Sequence, residues 1–147
     1  MFDLPGLAEI FKKYGDDFSA PIAKFDIGGK SFDFDADPIL MGVVNLSQDS
    51  WYRSSVAGNT AEAIALGARI AGDGAHVIDI GAEATMAETA LREAELQIAG
   101  LVPVIEGLRE ANVLVSVETY GPEVARACLA AGANVLNLTG RAHEGEI

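Results

Sequence analysis

Four positions carry a polar side chain late in an otherwise apolar run: Asn45 closing Ile39–Asn45, Asp79 in Ala75–Ile80, Glu118 in Asn112–Thr119 and Asn137 in Asn134–Leu138. Burying an amide or a carboxylate is costly unless it finds a partner. One such residue is as readily a turn or capping residue as a ligand contact. Four at equivalent places in successive runs point instead to a shared site. Amides donate and accept while carboxylates accept, a set that suits a flat heterocycle rich in hydrogen-bonding edges.

The elements that must hold these residues follow from periodicity. Leu4–Tyr14 reads as a short helix with Leu4, Leu7, Ile10 and Phe11 on one face and Lys12 and Lys13 near its end. The alternation on both sides of Gly28-Gly29 within Ile22–Phe34 predicts a β-hairpin with a tight glycine turn. From residue 38 the chain alternates strands and helices. A helix opened by Asn59-Thr60 places Ala61, Ile64, Ala68 and Ala71 on one face and closes at Gly72 and Gly74. A longer helical stretch runs from Leu91 to Leu108, with Pro103 expected to kink or split it. Pro122–Ala131 is a third helix.

The strands are apolar throughout, as expected where a parallel sheet is buried on both faces. A weak repeat relates Asp73–Gly81 to Ala131–Gly140, each with a helix ending at Gly-Ala before a strand. Four such units are half of an eightfold barrel, since a complete one needs on the order of 250 residues. A small doubly wound open sheet fits the pattern too. In either architecture ligands bind at the carboxyl ends of the strands. The expected fold class is therefore α/β: residues 1–37 form an N-terminal helix and hairpin, and residues 38–147 a (β/α)4 half barrel.

Composition narrows the function classes. The 147 residues are 50% hydrophobic and 22% charged, an ordinary globular balance. A net charge of −12 repels nucleic acid, and no cluster of Lys and Arg interleaved with aromatics offsets it. The apolar runs are too short to span a bilayer, and Met1–Pro5 lacks the pattern of a signal peptide, so a cytoplasmic location is expected. The single cysteine, Cys128, reads as a small apolar residue on a helix face. His76 reads as a satisfied histidine at the bottom of the sheet, and neither it nor His143 has a partner at metal-ligand spacing. No P-loop, GxGxxG, HExxH or GxSxG motif occurs.

The motifs around the four polar positions resemble a known family. Met41-Gly-Val-Val-Asn-Leu-Ser-Gln-Asp-Ser-Trp51 resembles the first signature of dihydropteroate synthases, and Gly74-Ala-His-Val-Ile-Asp-Ile-Gly-Ala-Glu-Ala-Thr85 the second. Val115-Ser-Val-Glu-Thr-Tyr120 and Ala131-Gly-Ala-Asn-Val-Leu-Asn137 resemble two further elements, in family order. The resemblance implies a pterin-binding TIM-type barrel that joins 6-hydroxymethyl-7,8-dihydropterin pyrophosphate to p-aminobenzoate with the help of Mg²⁺. It implies that Asn45 lies near metal and pyrophosphate, that Asp49 belongs to a loop of the p-aminobenzoate pocket, and that Thr85 assists the diphosphate. Asp79, Glu118 and Asn137 would bind the pterin.

Departures from the family pattern accompany the likeness. Glu118 stands for an aspartate, which extends the carboxylate by about 1.5 Å. Gln48 and Trp51 replace Pro and Phe, and Ala82 and Ala84 replace Gly and Ser. Met86 and Ala87 replace an Arg-Pro pair, removing a guanidinium suited to stabilising developing negative charge. Arg53 and Arg141 are candidates to replace it. The family's later pterin- and phosphate-binding residues lie beyond the four units, so the isolated chain is expected to be inactive. Completion by a C-terminal half chain, or self-association, is expected. A non-catalytic dihydropteroate synthase-like subunit or fragment, a pterin-dependent methyltransferase domain and a purely structural module are the alternatives.

Overall fold

The computed structural model describes residues 3–46, 53–82 and 94–138. Helix α1 (Leu4–Tyr14) begins at Asp3, whose carboxylate accepts from the Gly6 amide at 2.8 Å, and ends with Lys12 and Lys13 against its carbonyl terminus. Its apolar face is exposed, and Phe11 stacks on Phe18. Strands β1 (Phe25–Ile27) and β2 (Lys30–Phe32) then pair antiparallel. The turn between them puts both Gly28 (φ 55°) and Gly29 (φ 80°) in the left-handed region, as a two-residue hairpin demands.

Strands β3 (Met41–Asn45), β4 (Val77–Gly81), β5 (Leu114–Thr119) and β6 (Val135–Leu138) form one parallel sheet in sequential order. Helices α2 (Thr60–Gly72), α3 (Ala94–Glu110) and α4 (Pro122–Ala131) join them. Alternate residues Val44, Ile78, Ile80, Val115 and Val117 face those helices, in one core with Leu101, Val104, Ile105, Leu108, Val124 and Cys128. A doubly wound sheet reverses its strand order; this one does not, which selects the half barrel over the open sheet.

Register makes the same choice. In the repeat, Asp79 corresponds to Asn137, yet the ladders align Gly81 with Glu118 and Glu118 with Asn137. Sequence-equivalent residues thus slip by two places across two strands, from β4 to β6. That is the stagger of about one residue per strand that closes eight strands with a shear of eight. The repeat also has a local basis. Gly74 and Gly132 both take positive φ after a helix, and the residues two further on do the same job. His76 Nδ1 accepts from the Leu40 amide at 3.1 Å, and Asn134 Oδ1 accepts from the Val115 amide at 3.0 Å. His76 is therefore a satisfied histidine at the amino end of the sheet.

Three expectations need correction. Helix α2 buries Ala63 and Gly67 most deeply; of the expected face of Ala61, Ile64, Ala68 and Ala71, Ile64 and Ala71 pack against the core while Ala61 is exposed. The reason is proximity: a Cβ on Gly67 would lie 2.8 Å from Leu108 Cδ2, so the helix presents its smallest residues to α3. Helix α3 runs unbroken through Pro103. Proline forfeits one backbone hydrogen bond, and fully buried Leu101, Val104 and Ile105 hold the turns on either side of it. Burial on both sheet faces holds for β4 and most of β5 but not for β3, where Met41 and Val43 are 52% and 42% exposed. Both lie on the concave face, away from the helices.

At the amino end of that concave face the hairpin packs Phe32 against Val77 and Leu114, joined by Ile27, Phe34 and Ile39. The carboxyl end of the same face carries the polar residues. Among the described residues no helix is long and apolar enough to cross a membrane.

Candidate functional site

Two rows of side chains cross the concave face at the strand ends. The outer row is Asn45, Gly81, Glu118 and Asn137, which are successive Cα partners in the ladders. The row beneath is Val43, Asp79, Ser116 and Val135. The sequence-derived quartet therefore shares one face but not one level: Asp79 sits a row deeper, and Gly81 takes its expected place. The barrel stagger is the cause.

Each polar residue has a specific setting. Asn45 is buried and its Nδ2 donates to Ser55 Oγ at 2.7 Å, while the Ala57 amide donates to its carbonyl at 2.9 Å. The loop after β3 is thereby tied back to the strand end. Asp79 is only 6% exposed, and its Oδ2 accepts from Asn137 Nδ2 at 3.0 Å across strand β5. Among the described residues its other oxygen, Oδ1, is buried without a hydrogen-bond partner, and so is Ser116 Oγ beside it in the row. Glu118 and Asn137 are half-buried. Gly81 has no side chain to intrude between Asn45 and Glu118, its neighbours in the outer row.

Polar groups at the carboxyl ends of parallel strands, with buried oxygens left unsatisfied, describe a place prepared for a ligand with several hydrogen-bonding atoms. Among the described residues no group of three or more His, Cys, Asp or Glu could hold a metal.

Residues 41–144 match the family described as pterin binding enzyme. The chain belongs to that family. Relatives include the dihydropteroate synthase of Streptococcus pyogenes serotype M1, 34% identical over 117 residues, which covers 79% of this chain and 41% of that protein. The dihydropteroate synthase of Synechocystis is 34% identical over 125 residues, covering 82% of this chain and 43% of its own length. Among solved structures, Xanthomonas albilineans dihydropteroate synthase with 4-aminobenzoic acid superposes with a TM-score of 0.66 at 36% identity, over 78% of this chain and 42% of that one. Burkholderia cenocepacia dihydropteroate synthase complexed with 7,8-dihydropteroate gives 0.64 at 32% identity, over 80% and 38%. The chain thus spans about two-fifths of the length of the dihydropteroate synthases it matches.

Within this pterin-binding frame, Asn45, Asp79, Glu118 and Asn137 are brought together as expected on one face. Asp49 and Thr85 lie outside the described residues, as do Trp51, Met86, Arg141 and His143. Two participants escaped sequence reasoning. Ser55 gives no pattern signal, because its contact with Asn45 depends on how the loop folds back. Ser116 did carry one: it is two residues before Glu118 in a strand and must share its face. Cys128 is fully buried in the helix-side core, and desolvation pushes its thiol up to about 11.

Proposed function

We propose that this chain forms the pterin-recognising part of a dihydropteroate synthase of folate biosynthesis. Completed by the rest of a barrel, it would condense 6-hydroxymethyl-7,8-dihydropterin pyrophosphate with p-aminobenzoate in the cytoplasm. The observation that carries the reading is the outer row, with Asn45, Glu118 and Asn137 in register at the carboxyl ends of parallel strands, and Asp79 beneath. The ligands named for the solved relatives, 4-aminobenzoic acid and 7,8-dihydropteroate, are the second reactant and the product of that reaction.

In the reaction the bond from the pterin methylene carbon to pyrophosphate breaks, with the electron pair leaving on oxygen. The arylamine nitrogen then bonds to that carbon and gives up a proton. Glu118 and Asn137 hold the heterocycle by its hydrogen-bonding edge and keep the methylene in place. Asn45 suits the pyrophosphate end: its nitrogen is engaged by Ser55, which leaves an amide oxygen as the donor type a hard cation prefers. Mg²⁺ needs only one or two protein oxygens when phosphate and water supply the others, so one asparagine fits it. When bound, Mg²⁺ offsets the charge that develops on the leaving phosphate oxygens.

The exposed apolar strip of Met41 and Val43 on edge strand β3 supports completion by further strands, from a C-terminal half or from a second copy. The replacement of Arg-Pro by Met86 and Ala87 favours a second reading, a family member that binds pterin without transferring it.

Calorimetric titration of the chain with a dihydropterin pyrophosphate analogue and Mg²⁺, with the solution mass measured alongside, tests the proposal. Saturable binding abolished by Asn137→Ala is the expected result. Pterin binding without pyrophosphate release, even in the completed barrel, would identify the non-catalytic relative. A folded chain that binds no pterin in any assembly would refute both readings.

A further inference from the structure

We infer that Asp79 acts as a positioning residue: it locks the Asn137 amide so that the site selects a ligand edge made of hydrogen-bond donors. The inference rests on the pterin-binding reading of the same site and adds to it which edge of the heterocycle is read and what enforces the choice.

Asparagine alone carries no such preference, because rotating its amide by a half-turn exchanges donor for acceptor. Asp79 removes the ambiguity. Asp79 Oδ2 accepts from Asn137 Nδ2 at 3.0 Å, so the amide nitrogen is the group turned towards the carboxylate. Turning the amide over would set its oxygen against a carboxylate oxygen that is almost fully buried, where repulsion is little screened. The contact with Asn137 is also the hydrogen bond that satisfies Asp79 among the described residues, since its Oδ1 has none. Both facts hold the pair in one state.

The consequence appears one row higher. With one N–H held by Asp79, Asn137 keeps its oxygen turned away from that carboxylate and towards a ligand, and its register partner Glu118 carries a second acceptor group in the same row. Two acceptors side by side match an edge on which a ring N–H adjoins an exocyclic amine. They oppose the same edge when the amine is replaced by a carbonyl oxygen. Asp79 reaches across β5 to do this because the barrel stagger places it a row below Asn137, with the small side chain of Ser116 between them in the register.

The test compares 6-hydroxymethylpterin with 6-hydroxymethyllumazine, in which oxygen replaces the 2-amino group, by fluorescence titration of the 147-residue chain. Wild type should favour the pterin by about tenfold or more, the worth of one well-placed polar contact. Asp79→Asn keeps the shape but no longer dictates the amide, so the preference should fall towards unity. Asn137→Ala, on the edge strand, should lose the preference too, and Asp79→Asn should add nothing in that background if Asp79 acts through Asn137. Should Asp79→Asn not fold, Asn137→Ala decides alone, and an unchanged preference there overturns the inference. A wild-type preference retained by folded Asp79→Asn overturns it while leaving the pterin reading intact. Failure of wild type to bind either compound in any assembly removes the pterin reading, and this inference with it. Rapid solvent exchange of the Asn137 side-chain amide in the free chain, seen by NMR, would overturn the lock whatever the ligand.

Discussion

Glu118 leans over Gly81: a Cβ built on the glycine would stand 3.2 Å from Glu118 Oε2 and 3.8 Å from Asn45 Oδ1. The gap in the outer row is therefore about one methyl group wide. Gly81→Ala should cost under about 1 kcal/mol of stability, because the nearest atom is the mobile end of a side chain. Ligand affinity should nonetheless fall by about tenfold as the Glu118 carboxylate is displaced. Denaturant unfolding and pterin titration of the same variant check both halves, and unchanged affinity would place the ligand elsewhere.

Asn45 is expected to hold the loop after β3 as well as to serve the site. Asn45→Ala removes the 2.7 Å bond to Ser55 Oγ and should destabilise the chain by about 1 kcal/mol. Amide exchange should quicken at Ala57, whose backbone bond to Asn45 depends on that tie. Exchange at Ala57 identical to wild type would show that the backbone bond alone suffices.

How much of this was legible beforehand depends on the range of the interaction involved. Helices α1 and α4 could be read from local signals, the spacing of Leu4, Leu7, Ile10 and Phe11 with Lys12 and Lys13 in the one and Pro122 and Gly132 at the ends of the other, all acting within a turn or two of the chain. The polar strand ends were visible for the same reason. The level of Asp79 was not, because register is set between strands about 36 residues apart and no single strand records its slip. The spacing in α2 finds Ile64 and Ala71, which pack against the core, but not Ala63 and Gly67, whose burial is set by close contact with a helix distant in the chain. Pro103 was judged by its local cost alone, and packing on both sides outweighs it.

The α2–α3 contact offers a quantitative check of that close approach. Leu108→Ala empties a fully buried site and should cost about 2–5 kcal/mol. Gly67→Ala pushes a methyl to 2.8 Å from Leu108 Cδ2 and should cost about 1–3 kcal/mol. The double variant should be more stable than the sum of the two losses allows, since the new methyl occupies space that the leucine vacates. Strict additivity in urea unfolding would contradict the packing described.

Cys128 should make stability depend on alkaline pH. Its folded thiol titrates at about 11 against 9.0 unperturbed, so the folded chain retains a proton that the unfolded chain releases. Stability from this group is complete below pH 9 and declines from there towards pH 11. A Cys128→Ala variant should show a shallower decline across that window. Native chain should also resist thiol reagents at pH 8 and react once denatured.

The neighbour-to-neighbour order of the sheet bears finally on how the molecule comes into being. Each of these four parallel strands pairs with its neighbour in the chain, so none of the ladders between them waits for a distant segment to be made. Loop closure is correspondingly short for a parallel fold, and each added βα unit finds a finished template. A chain emerging from the ribosome can therefore lay down these four strands in turn. The acceptor row would then be assembled last, when β6 delivers Asn137 to Asp79.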